Sequence, residues 1–320
     1  MRYPKRAIHL DFHTPDKVGD VGKGFDPAAF ARTLRRAHID HVTVFARCNQ
    51  GFTYYPSKVG IRHPGLRGDL LGGMVRECHK QDITVAAYIN VGLDHEHARL
   101  RRDWCVVNQR GQVIEDDKLR HFFRHMCLNT GYGDYVLAMI KEVRSKYPVD
   151  GFFLDCLGQP PCYGNECVER MAERGLDPLD DAAVAAFALE TKLDFVRRAK
   201  RLVGPGKLFF VNGPAYHLMR RELTHIEIEC LPTSPEWGYE TLPASARYTR
   251  TQDKPVVSMS GRFQRSWGDY GGLRPQASLE FDCFHAISHG LACSLGDHMH
   301  PRGLEPAVYE AIGRAYGRLA

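Results

Sequence analysis

The chain has no apolar run of roughly eighteen residues or more, so nothing in it reads as a membrane-spanning helix. It has ten cysteines but no CxxC pair, which removes the usual spacing of a structural zinc ribbon. Charge of one sign is also missing as a block. Lys and Arg number 43 against 38 Asp and Glu, a net of +5, and the doublets Arg35-Arg36, Arg101-Arg102, Arg197-Arg198 and Arg220-Arg221 fall in helical contexts. That is a solvated surface, and it excludes a nucleic-acid-binding stripe. No linker, composition break or internal repeat divides the 320 residues, and the 43% hydrophobic and 25% charged content excludes a disordered or fibrous chain. Met1-Arg2-Tyr3-Pro4-Lys5-Arg6 leads straight into a strand instead of an apolar signal segment. The expected location is therefore the cytoplasm, where reduced thiols at strand ends (Cys48, Cys156, Cys230, Cys293) act as small hydrophobes. Cys156, Cys162 and Cys167 cluster in sequence and invite a zinc reading, but their spacing leaves the expectation at no metal and no cofactor.

What is present is alternation. Strand-like segments at 7–13, 41–48, 83–91, 149–156, 208–212, 225–231, 255–262 and 292–297 are separated by helical ones at 28–37, 69–80, 135–146, 182–202, 217–223, 242–249 and 276–289. A last helix spans 306–319, and Asp26-Pro27 supplies a cap and first-position proline for the first. Eight β/α units without a break predict an α/β chain folded as a single (β/α)8 TIM barrel over 1–320, with a long, aperiodic excursion after the third strand around 94–128.

Barrel geometry sorts the polar residues, because sites in this fold collect at the C-terminal strand ends. Val149-Asp-Gly-Phe-Phe-Leu-Asp155-Cys156 is a short buried strand that ends in a carboxylate. Strand one offers His9, Asp11 and His13 on one face, strand two Arg47, strand three Asn90, strand five Asn212, strand six Glu227 and Glu229, and strand eight Asp297 with His300 beyond it. Strand seven has no carboxylate. Two carboxylates across one pocket are what glycoside hydrolysis requires, and Asp155 as nucleophile with Glu229 as acid and then base is the best pair. Glu227 and Asp297 are the alternatives for the acid/base. Glu227 lies one layer deeper, against His9 or Asn212, and a bland Glu229 would pair with Arg47 or Arg262. Aromatic loop residues suit sugar faces: Tyr54, Tyr55, Trp237, Tyr239, Trp267 and Tyr270, with His63 and Asp269 as hydroxyl partners.

His9-Leu-Asp-Phe-His13, Tyr54-Tyr55-Pro56 with Lys58 and His63-Pro64, Asp150-Gly-Phe-Phe-Leu-Asp155, Glu227-Ile-Glu229-Cys-Leu-Pro232 with Trp237-Gly238-Tyr239, Trp267-Gly-Asp269, and Gly296-Asp297 with His300-Pro301 together resemble the hypothetical glycosyl hydrolase 6 group. That group is α-L-fucosidase-like and is linked to β-galactosidases carrying a trimerisation domain. The resemblance covers nearly the whole chain and implies a retaining, exo-acting glycosidase with its nucleophile on strand four, a carbohydrate substrate and no nucleic-acid or membrane partner. It leaves a homo-oligomer open. The chain lacks the strand-seven Glu nucleophile and strand-four Asn-Glu pair of the large β-galactosidase clan, so that mechanism is not implied. Two other readings stand beside it: a metal-dependent amidohydrolase-type barrel using His9, His13 and Asp297, and a non-catalytic sugar-binding pseudo-glycosidase.

Overall fold

Short aromatic and β-branched runs in this sequence are too brief for helices, and buried on both faces they become parallel strands. In a computed structural model, which describes residues 1–114, 124–213, 215–269, 271–299 and 303–320, eight such strands stand side by side. They are β1 (Arg6–Asp11), β2 (His41–Arg47), β3 (Thr84–Asn90), β4 (Gly151–Asp155), β5 (Leu208–Val211), β6 (Ile226–Glu229), β7 (Val256–Gly261) and β8 (Ala292–His298). Hydrogen bonding runs in the order β5-β4-β3-β2-β1-β8-β7-β6. At the remaining seam, the Thr224 N–H donates to Phe209 O over 2.9 Å, and the Phe209 N–H donates to Thr224 Oγ1 over 2.9 Å. The sheet is thus a nearly closed barrel.

The outer layer is α1 (Pro27–Arg36), α2 (Leu70–Lys80), α3 (Gly131–Lys146), α4 (Asp181–Val203), α5 (Tyr216–Met219), α6 (Thr241–Thr249), α7 (Gln276–Ser288) and α8 (Pro306–Gly317). Side chains start several of these: Asp26, as the sequence suggests, accepts from the Ala28 and Ala29 N–H groups, and the structure adds Asp69 accepting from Gly72 and Asp180 from Ala182. Sequence periodicity passes over a two-strand ribbon, Phe52–Thr53 with Ile61–Arg62, and two loop helices, His95–Leu100 and Asn165–Glu173. All are too short to show a period.

One aromatic layer crosses the barrel interior. Phe45 stacks on Tyr88 at 3.6 Å, and the series continues through Phe153 at 5.7 Å, Phe210 at 4.9 Å and His225 at 4.3 Å. Contacts of this kind are worth about 0.5–1.5 kcal/mol per pair beyond burial. They also fix the register. Side chains alternate, so the residue two positions above each ring faces inward at the mouth: Asn90, Asp155, Asn212, and Glu227 with Glu229 above it.

Strand β2 breaks the pattern. A bulge between Phe45 and Arg47 turns Arg47 away from the mouth and into the excursion. There the fully buried guanidinium pairs with Asp94 and donates to Asn90 O, to Leu93 O at 3.3 Å and to Tyr132 Oη at 3.0 Å. Arg47 is therefore a structural anchor, in contrast to the mouth-lining role read from the sequence. Arg47→Ala leaves the buried Asp94 carboxylate with only His97, at 2.7 Å, as a partner and should cost about 3 kcal/mol, read as a lowered urea midpoint.

Candidate active site

Asp155 and Glu229 are half-buried at the rim, over a buried floor of His9, Asp11 and Glu227. Asp155 Oδ2 accepts a bond from Tyr88 Oη and another from Cys156 Sγ at 3.5 Å. Tyr88 also accepts from Asn90 Nδ2 at 3.1 Å, so a chain of hydrogen bonds from β3 sets the β4 carboxylate. Cys156 itself sits in left-handed backbone (φ 49°). Its carbonyl would lie 2.1 Å from any Cβ at Gly92, so that glycine is required for the β3 and β4 loops to approach.

Glu229 Oε2 accepts from Asn212 Nδ2 at 2.6 Å. Burial, followed by the neighbouring Asp155 charge and then Glu227 and Asp11, outweighs the Asn212 bond and pushes Glu229 up to about 7. An acid raised from 4.5 is protonated when folded at pH values where the unfolded chain has lost the proton. Stability therefore falls as pH rises between those limits and levels off above about 7. Glu229→Gln should gain up to about 3 kcal/mol over the native chain above pH 7 and nothing below pH 4, measured as denaturant midpoints across that range.

The floor is polar and enclosed. His9 is ringed by Phe153 at 5.2 Å, Trp267 at 5.5 Å and Tyr88 at 5.6 Å. Burial lowers its pKa despite the attraction of Glu227, Asp11 and Asp155, which keeps the imidazole neutral, and its Nδ1 has no hydrogen-bond partner among the described residues. Burial also opposes charge on His13, but the Asp11 carboxylate at 2.9 Å overcomes it and lifts His13 to about 10. Trp267 reaches this floor because Gly296 of β8 carries no side chain, and a Cβ there would lie 2.2 Å from the indole. On the opposite side, Asn212, Glu229, Tyr216 and Trp237 line a cleft of about 350 Å³ that opens between α5 and α6.

Other residues chosen from the sequence lie elsewhere. Tyr55 is buried beneath α3 and bonds Glu142 Oε2 at 2.8 Å, while His63 ties the strand-one loop through Pro15 O at 3.0 Å. Asp269 caps its own loop, accepting from the Arg265 N–H at 3.3 Å. Tyr239 packs on Phe281 of α7 at 5.6 Å. Asp297 occupies the outward face of β8, paired with Arg262 Nε at 2.7 Å and beside Tyr309 of α8, and its burial raises its pKa. This removes Asp297 from the acid/base alternatives. It also breaks the amidohydrolase ligand set, since His13 is committed to Asp11. Glu227 is 3.9 Å from His225 Nε2, and Asn212 bonds Glu229 instead. His300 and Tyr270 lie outside the described residues. Tyr88 is the residue sequence reasoning missed. Its place two positions before Asn90 on the inward face was the available signal.

A (β/α)8 barrel with two carboxylates at its C-terminal mouth is an arrangement that glycoside hydrolases use. The family named from its motifs is the one whose model matches: residues 26–156 fit hypothetical glycosyl hydrolase 6. A solved α-L-fucosidase isoenzyme 2 from Paenibacillus thiaminolyticus is 34% identical, with a TM-score of 0.93 over 100% of this chain and 49% of that one. The chain thus spans about half the length of that enzyme. A β-galactosidase from the psychrophilic Marinomonas ef1 shares the fold at 11% identity and a TM-score of 0.69, covering 98% of this chain and 59% of that one. The Thermotoga maritima α-fucosidase in complex with fucose does so at 16% and 0.56, over 95% and 59%. No curated protein matches. Among the described residues no helix is long and apolar enough to cross a membrane.

Proposed function

We propose that the chain is a retaining, exo-acting glycoside hydrolase of α-L-fucosidase type. The observation that carries this reading is the unequal pair of rim carboxylates: Asp155, held by Tyr88, and Glu229, raised to about 7 by burial and by its neighbour. The 34% identity to an α-L-fucosidase over the whole of this chain supports the sugar class.

In the first step Asp155 Oδ attacks the anomeric carbon, while protonated Glu229 delivers its proton to the departing glycosidic oxygen. The C–O bond to the leaving group breaks and an ester to Asp155 forms. The same Glu229, now a carboxylate, takes a proton from water, which attacks the anomeric carbon, breaks its bond to Asp155 Oδ and releases the sugar with its configuration retained. Tyr88 donates to Asp155 and orients its attack, and Phe153 and Trp267 pack on His9 in the floor beneath.

The test is a panel of 4-nitrophenyl glycosides followed by NMR of the first-formed anomer. The α-L-fucoside should be turned over and α-L-fucose should appear first. A first-formed β anomer, or turnover of other glycosides alone, would end the proposal.

A further inference from the structure

Outside the mouth, three thiols from three separate segments converge. Cys127 closes the excursion after β3, Cys162 lies in the loop after β4, and Cys167 stands in the first turn of the Asn165–Glu173 helix. Their Sγ atoms all lie within 4.8 Å of one another, with Cys127 and Cys167 at 3.4 Å. Each is 1–4% exposed, in a satellite cluster with Val106, Met171, Val184 and Phe187. The sequence had grouped Cys156 with Cys162 and Cys167; the fold sends Cys156 to Asp155 and brings in Cys127, 35 positions before Cys162.

We propose that Cys127, Cys162 and Cys167 form a buried, three-thiolate site for a zinc-class soft cation. Zn–S bonds of about 2.3 Å put the sulfurs of a tetrahedral site about 3.8 Å apart, inside the spread found here. The outer partners suit thiolate. Asn129 Nδ2 donates to Cys167 Sγ at 3.3 Å, and Gln159 Nε2 to Cys127 Sγ at 3.9 Å. Metal ligands characteristically carry such second-layer hydrogen bonds. An ordinary apolar thiol cluster has no need of two amide donors aimed at sulfur. A divalent ion leaves one net negative charge on three thiolates, whereas a monovalent ion leaves two. In an apolar setting the divalent ion costs less to bury. Binding takes up the metal and releases three protons from the three S–H groups, and these three are the ligands found among the described residues.

The site joins the excursion to the loop that follows Asp155. Gln159 spans the same gap, its Oε1 accepting from the Leu128 N–H at 3.0 Å. The ion would therefore be a staple beneath the β3 and β4 loops and take no part in bond breaking. This inference does not depend on the proposed glycosidase activity.

The test is metal analysis of the purified protein, followed by Cd²⁺ titration of chelator-treated protein monitored by the sulfur-to-cadmium charge-transfer band. The expected result is one zinc per chain, replaced by one Cd²⁺ with appearance of the band. The melting temperature should fall on chelation and return with Zn²⁺. Cys162→Ser should weaken Cd²⁺ binding by more than about a hundredfold, beyond what loss of an outer partner costs. The chelation arm uses the native chain and so stands even where a serine variant fails to fold. Chelator-treated protein of native sequence that gives no charge-transfer band with Cd²⁺ would overturn the site, as would a mass two hydrogens short mapped to a Cys127–Cys167 disulfide.

Discussion

Asp155→Ala should lower kcat/KM on aryl α-L-fucosides by on the order of 10⁴-fold or more, about 5 kcal/mol of transition-state stabilisation. The reason is local. Phe153 fixes Asp155 on the inward face of β4, and Tyr88 holds its Oδ2, so the proposed nucleophile is a positioned carboxylate. Loss of the side chain opens space for a small anion. Azide added to the variant should restore part of the rate and yield the fucosyl azide of inverted configuration. A variant that keeps native rates, or a rescued product of retained configuration, contradicts the nucleophile assignment. Tyr88 lies in a buried ring stack, so the variant must first be shown to melt as the native chain does.

Glu229→Ala should cost less, on the order of 10²–10⁴-fold, because it removes proton transfer and leaves the nucleophile in place. The loss should be deepest for poor leaving groups and shallow for nitrophenol, which needs little protonation. The pH profile is the sharper readout. With Glu229 as the proposed acid, pushed up to about 7, native kcat/KM should fall as pH rises through 7. In Glu229→Ala that limb should vanish. An unchanged alkaline limb would assign it to another group, with Glu227, two residues below on the same face, the first to examine. Asn212→Ala should move the limb upward, since the Asn212 bond is what lowers Glu229.

Much of this was legible in the sequence, for physical reasons. Strands buried on both faces read as apolar runs, which is why eight β/α units could be counted. A carboxylate that ends such a run, as Asp155 does, reads as a satisfied structural acid or a working one, and its position at the mouth could be placed. Glu229 was legible for the same reason, as the top of an inward Glu-Ile-Glu alternation.

The failures trace to features with no signature in a single chain. A bulge after Phe45 rotates Arg47 out of the series, and nothing in Val-Phe-Ala-Arg announces it. On β8 the inward places are Gly296 and His298, so Asp297 faces α8; the period-two rule was correct, but its phase needed the register with His9. Tyr55 turns onto the helix that carries Glu142 and His63 is spent on holding the loop after β1, contacts that sequence order alone does not show. The third thiol of the Cys127, Cys162 and Cys167 cluster is brought in by tertiary contact from the far end of an aperiodic excursion.

The claim on which the account turns is that Asp155 carries the sugar during turnover. A 2-deoxy-2-fluoro-α-L-fucosyl donor with a good leaving group forms the ester but slows its hydrolysis, so the intermediate accumulates long enough to be digested and sequenced. The account predicts one sugar per chain, attached to the peptide containing Gly151 to Asp155 with Asp155 as the modified residue. A label on Glu227, Glu229 or any other side chain would contradict it.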